Sequence, residues 1–191
     1  MSTRTSTLTP LGASTRRGAT LPQPDWSDEL LDALVSSGVE FVPYVPDEVL
    51  SRVLVKAAAR PELTLLPLTR EEEGVGIACG VALAGRRSAL MMQTTGMGNS
   101  LNAIGSVAMA QRVPLLIVVS ERGGLGETVS TQLPLGASLR RILDAMAIPC
   151  FETTRADEVA RLVAGAAETA FISRTTVVVL LPTLLTAEVP A

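Results

Sequence analysis

The chain has 191 residues, enough for one domain with a sizeable core and short for two. A net charge of −3, an aromatic content of 3% and the lack of any basic run give nucleic-acid binding no support. The strongest apolar run, residues 113–119, is far too short to span a bilayer.

Hydrophobic residues make up 47% of the chain, so a core with few aromatics must be built from Ala, Val, Leu and Ile. That composition suits helices laid on a buried parallel sheet. There is no histidine. Zinc sites built on histidine are excluded, as is any catalytic triad whose base is a histidine of this chain. Acid–base chemistry must then rest on carboxylates, a bound cofactor or a partner's residues. Cys79 and Cys150 have no CxxC or ligand spacing and read as two buried free thiols in a reducing, cytoplasmic setting. No residue reads as a metal ligand.

Residues 1–25 are rich in Ser, Thr and Pro, carry Arg4, Arg16 and Arg17, and contain no acid before Asp25. Without the apolar stretch of a secretory signal, they read as a flexible tail ahead of a single domain over residues 26–191. Residues 28–37 show helical spacing of Leu30, Leu31 and Leu34, ended by Gly38. Residues 39–45 read as a strand, weakened by Pro43, and Pro46 suits the first turn of a helix to residue 59. A strand over 63–68, a helix over 71–84 closed by Gly85, a strand over 88–94 and a helix over 99–111 follow. Residues 113–120 form the clearest strand, an unbroken apolar row expected of a strand covered on both faces. A loop rich in Gly and Thr spans 121–136. Helices over 139–147 and 157–171 flank a short strand at 150–151, and 175–181 is the last buried strand. About six strands alternating with about six helices imply a three-layer αβα domain with a mainly parallel sheet.

In such sheets ligands bind at the carboxyl ends of the strands. Three strand ends carry polar or glycine-rich runs. At the first, Glu71, Glu72 and Glu73 follow a buried strand at once. Neighbouring helical residues are about 100° apart, so the three fan around the axis and cannot all face one site. Acidic residues are favoured in a first helical turn by the dipole alone, yet a carboxylate here also lies where it could share a proton with a ligand nitrogen. At the second, Gly96-Met97-Gly98-Asn99 reads as a strand-to-helix turn, with Asn99 as the helix cap and glycines that let a ligand approach the backbone. Leu101 replaces the third glycine of a dinucleotide fingerprint, and no Lys-Ser/Thr follows as in a P-loop. At the third, Arg122 is either a surface loop arginine or a clamp on a substrate anion.

Taken together, the runs Thr69 to Ile77, Met92 to Ile104, Ser120 to Gly123 and Gln132 to Gly136 resemble the thiamine diphosphate-dependent decarboxylases. Among these the resemblance is to the α subunit of sulfopyruvate decarboxylase and to the amino-terminal part of phosphonopyruvate decarboxylase. It covers roughly residues 27–182 and implies a pyrimidine-binding (Pyr) domain. It implies that a glutamate hydrogen-bonds the N1′ nitrogen of the cofactor's aminopyrimidine. Related enzymes place that glutamate nine residues before a glycine near the helix end. Counting back from Gly80 gives Glu71, with Glu72 as the second candidate. By the same matching Gln93, Thr94, Thr95, Gly96 and Asn99 line the cofactor pocket, and Arg122 and Gln132 serve the substrate. The resemblance also implies a partner. The Gly-Asp-Gly…Asn motif that holds Mg2+ and diphosphate is missing, so a β subunit would supply it, in an α2β2 or larger assembly. The expected activity is decarboxylation of an acidic 2-oxoacid such as sulfopyruvate or phosphonopyruvate. A carboligase subunit like acetolactate synthase, or a regulatory subunit that kept the fold, are the alternatives.

Overall fold

The computed structural model describes residues 24–186. The expected tail therefore lies, up to residue 23, outside the described residues. Asp25 is already part of the fold. Its carboxylate caps the first helix through Ser27 N (3.0 Å) and pairs with Lys56 (2.8 Å) and Arg52. Burial raises the Asp25 pKa, but these partners outweigh it and hold the carboxyl well below its usual range.

The chain order is α1 (Trp26–Ser36), β1 (Phe41–Tyr44), α2 (Glu48–Ala57), β2 (Thr64–Pro67), α3 (Glu71–Leu83), β3 (Ala89–Gln93) and α4 (Thr94–Ala103), then a π-helix (Ile104–Met109) and β4 (Leu115–Ser120). After a 3-10 turn (Ser130–Gln132) come α5 (Leu133–Gly136), α6 (Leu139–Ala145), β5 (Cys150–Glu152), α7 (Val159–Ser173), β6 (Thr176–Leu181) and α8 (Thr183–Thr186). All strand pairs are parallel, in the order β2-β1-β3-β4-β6-β5. Alternate residues of the central strands feed two separate cores. Ala89, Met91, Leu116, Val118, Val177 and Val179 pack under α1, α2 and α7. Leu90, Met92, Leu115, Ile117, Val119 and Val178 pack under α3, α4 and α6. Burial on both faces is what forces the continuous apolar rows in β4 and β6.

Pro43 sits inside β1, opposite Leu66 of β2. Phe41 N donates to Arg87 O and Val45 N to Met91 O, so the donor missing at Pro43 falls on the β3 side, where pairing is sparse. A second difference concerns α4. It starts at Thr94, directly after β3, with Gln93 at its N-cap, so Gly96 and Gly98 lie inside the helix and Asn99 is an exposed mid-helix residue and not a cap. The loop over 121–136 also contains the 3-10 turn and α5, and α8 has no counterpart among the expected helices. Cys79 is buried and Cys150 is only partly so.

Candidate active site

The chain reverses direction across the sheet between β1 and β3. The helix after β1 packs on one face and the helix after β3 on the other. A crevice at the carboxyl ends of these strands is where open α/β sheets take ligands. Around it the three glutamates separate by role. Glu73 turns back to accept from Thr69 N (3.2 Å), which caps the start of α3. Glu72 pairs with Arg70 at 3.0 Å, with both side chains exposed. Glu71, half-buried, points across to α4. A Cβ built at Gly96 would lie 2.5 Å from Glu71 Oε1 and 2.6 Å from its Cδ. The glycine thus makes room for a side chain of the same protein, and the Glu71 carboxylate rests against the first turn of α4. The free N–H groups and positive end of that helix favour a negative charge there.

Gly98 is also a packing glycine. A Cβ there would meet the Leu135 side chain, with Cδ1 at 3.3 Å, so α5 seats directly on α4. Thr94 is fully buried, and its hydroxyl is committed inside the fold. It donates to Ser120 O (3.1 Å) and accepts from Arg122 N (2.9 Å). The Ser120 hydroxyl donates in turn to Asp47, whose other oxygen accepts from Leu50 N (2.7 Å) at the start of α2. This chain of bonds ties the ends of β1, β3 and β4 together. Gly96 lies against Glu71, Gln93 and Thr95 stand with it at the start of α4, half-buried, and Asn99 lies further along the same helix, exposed.

Arg122 lies on the α2 side of the edge. Its Nε and Nη2 bind the two oxygens of Glu127 at 2.8 and 3.1 Å. Glu127 also accepts from Gly123 N (3.1 Å) and Val129 N (2.9 Å), and its side chain is 7% exposed. The Arg122 bond first, then the two backbone N–H groups, depress its pKa to about 2. The same pairing raises that of Arg122. Together with Glu48 and Glu121 they line a cavity of about 210 Å3. The loop folds tightly: a Cβ at Gly136 would come within 2.6 Å of Gly123 Cα. Gln132 sits in this fold, and its Oε1 is buried without a hydrogen-bond partner. Asp47 and Glu127 are site-building residues that sequence patterns did not single out, and Ser120 was marked only as part of a strand-end run. Asp47 could have been found as a cap residue at the end of the first strand. Glu127 has no local signal, because its role comes from the loop's path. Among the described residues no group of His, Cys, Asp and Glu is placed to hold a metal ion, and no helix is long and apolar enough to cross a membrane.

Comparison with known proteins places the chain in a family and agrees with its fold. Residues 25–132 match the family described as thiamine pyrophosphate enzyme, N-terminal TPP binding domain, and the chain belongs to that family. Within it, the chain is 39% identical over 158 residues to the sulfopyruvate decarboxylase subunit alpha of Methanococcus maripaludis, covering 83% of this chain and 95% of that one. The corresponding subunit of Methanocaldococcus jannaschii is 35% identical, with 70% and 79% covered. The phosphonopyruvate decarboxylase of Streptomyces viridochromogenes is 29% identical, over 52% of this chain and 25% of that protein. In fold the chain matches a 2-oxoglutarate:ferredoxin oxidoreductase from Magnetococcus marinus with a TM-score of 0.69 at 18% identity, over 85% of this chain and 29% of that one.

Proposed function

We propose that this chain is the alpha subunit of a two-subunit, thiamine diphosphate-dependent decarboxylase of an acidic 2-oxoacid such as sulfopyruvate or phosphonopyruvate. The observation that carries the reading is the Glu71 carboxylate seated on Gly96 at the carboxyl edge of the sheet, in a chain of this family. The residues present suit an aminopyrimidine. Glu71 offers a carboxylate to a ring nitrogen, and glycine at 96 leaves α4 without a side chain to compete for the space. When bound, thiamine diphosphate would supply the nucleophile and the electron sink for loss of CO2. Glu71 would share a proton with the ring nitrogen and so set its protonation. Gln93, Thr95 and Asn99 are assigned to the cofactor side of the pocket. Thr94 acts from behind, fixing the first turn of α4 to β4 and to the Arg122 backbone. On the substrate side we place the Gln132 amide and the Arg122 guanidinium, whose Nη1 is left over from its contact with Glu127.

The relatives' name, subunit alpha, implies a second subunit. We assign the diphosphate and Mg2+ to it, in an α2β2 or larger complex. From Gly74 to Gln111 the only charged side chains are Arg86 and Arg87, and these turn away to Glu40, Phe41, Phe171 and the Ser37 carbonyl. Beyond the glutamates of its first turn, α3 and the whole of α4 thus present outer faces free of charge, as suits the core of a covered surface. The test is Glu71→Gln assayed in the complex. CO2 release should fall by about 10²- to 10⁴-fold while the complex still assembles on size exclusion. Unchanged turnover would refute the assignment. Product analysis with one oxoacid, with and without an acceptor aldehyde, separates decarboxylation from ligation.

A further inference from the structure

At the opposite edge of the sheet from Glu71 lies a cavity of about 310 Å3, lined by Ala108, Met109, Arg112, Ser173, Arg174, Thr175 and Thr176. Three observations set it apart. First, no carboxylate lines it, although the chain carries a net negative charge. Most arginines among the described residues are paired with Asp or Glu, and Arg87 binds a carbonyl and a ring. The four that enter no such bond are Arg112, Arg141, Arg161 and Arg174, and two of these four share this cavity. Second, Thr176 is 1% exposed, and its Oγ1 is buried without a hydrogen-bond partner. Buried hydroxyls are almost always bonded, because an orphan costs about 1–3 kcal/mol. Third, Ala108 and Met109 are the end of the π-helix, a form rare enough that its occurrence points to functional sites.

A role for the arginines as plain helix caps is not needed. The carbonyls at the end of the π-helix already accept from Arg112 N and Val113 N, and the end of α7 accepts from Thr175 N. The guanidinium groups are therefore available to a ligand. Guanidinium forks and hydroxyls without a competing carboxylate select oxyanions. The volume is at the lower end of small-molecule sites, larger than a single anion requires. We propose that this cavity binds a small molecule through a phosphate or carboxylate group, held by Arg112 and Arg174 with the hydroxyl of Thr176 behind them. This inference does not depend on the decarboxylase reading.

The test is calorimetric titration of the full chain with inorganic phosphate, adenosine monophosphate and citrate, each at constant ionic strength. At least one probe should bind saturably at one site, and which one distinguishes a phosphate from a carboxylate ligand. Arg112→Gln with Arg174→Gln should weaken that binding at least tenfold. Arg141→Gln with Arg161→Gln, the other two unpaired arginines, should leave it unchanged. Thr176→Val should raise the Tm of the free chain, because it removes an orphan hydroxyl, and should weaken binding several-fold. The proposal is overturned if no probe binds saturably, if the control pair weakens binding as much as Arg112 and Arg174 do, or if Thr176→Val leaves affinity unchanged.

Discussion

Gly96→Ala is the sharpest perturbation of the proposed site. The added methyl would stand 2.5 Å from Glu71 Oε1, where ordinary contact begins at 3.4 Å. Glu71 Cγ lies closer still, so something must move by about 1 Å, and the half-buried glutamate side chain gives way more easily than the two helices. Relief by this route costs little stability. Alanine in place of helical glycine returns up to about 1 kcal/mol, so the net change in folding free energy should stay within about 1 kcal/mol. Activity responds differently. A displacement near 1 Å of a group that must meet a ring nitrogen costs roughly 100-fold in rate. The expected outcome is a nearly unchanged thermal midpoint with turnover in the complex reduced about 100-fold. Gly165→Ala is the control, because a Cβ there meets nothing within 4 Å. It should add stability of the same order and leave turnover alone. Full activity in Gly96→Ala would mean that the Glu71 position seen here is not the working one.

Two further expectations concern titratable groups. Glu127, with its carboxyl at about 2 in the fold against an ordinary 4.5, stabilises the loop over 121–136 fully above about pH 4.5. That contribution fades as pH falls from 4.5 through 2. The stability gap between the wild type and Glu127→Gln, measured by urea unfolding, should therefore close across this window, and a gap independent of pH would contradict the assigned bonds. Cys150 has the opposite sign. Burial, followed by the nearby Glu152 charge, lifts its thiol from 9.0 to about 11. Between these values the folded chain holds a proton that the unfolded chain releases, so stability should fall as pH rises from 9 to 11, and less so in Cys150→Ser. The thiol should also react slowly with disulfide reagents at pH 8; rapid labelling there would show that it is not shielded.

The sheet was legible because burial on both faces leaves unbroken rows such as Leu115 to Val119, which no half-exposed element tolerates. The start of α4 was not. Gly96 and Gly98 carry the local signature of a turn, and only the tertiary partners, Glu71 and Leu135, explain why a helix keeps two glycines in its first turns. Asn99 was misplaced as a cap for the same reason. Glu71 was reached through a family spacing, since helix geometry alone says only that the three glutamates diverge. The structure supplies the physical sorting: a cap at Glu73, a solvated pair at Glu72, and a carboxylate lying on α4 at Glu71. Arg122 was legible in position and not in state, because Glu127, five residues on, returns to it only through the path of the loop.

That sorting bears on why the proposed site needs a second chain. A carboxylate that shares a proton with a cofactor nitrogen works best where water is excluded, because the interaction weakens steeply in a high dielectric. In this chain Glu71 is half-buried: α4 and Gly96 cover one side and the other is open. Beyond Glu72 and Glu73 in the first turn of α3, the outer faces of α3, α4 and the π-helix present Gly76, Gly80, Asn99, Asn102 and Ser106 with Leu83 at 75% exposure, and no further charge. A solvated pair of helices would normally carry charges on such faces. Glycines with open space above them let another backbone approach closely. The scarcity of charge that would make these faces a poor water boundary suits them to seal the carboxylate under the proposed partner subunit. Charging that surface, for example by Gly80→Glu, should then abolish assembly and turnover together while leaving the isolated chain folded. Retention of both would separate the partner's seat from α3.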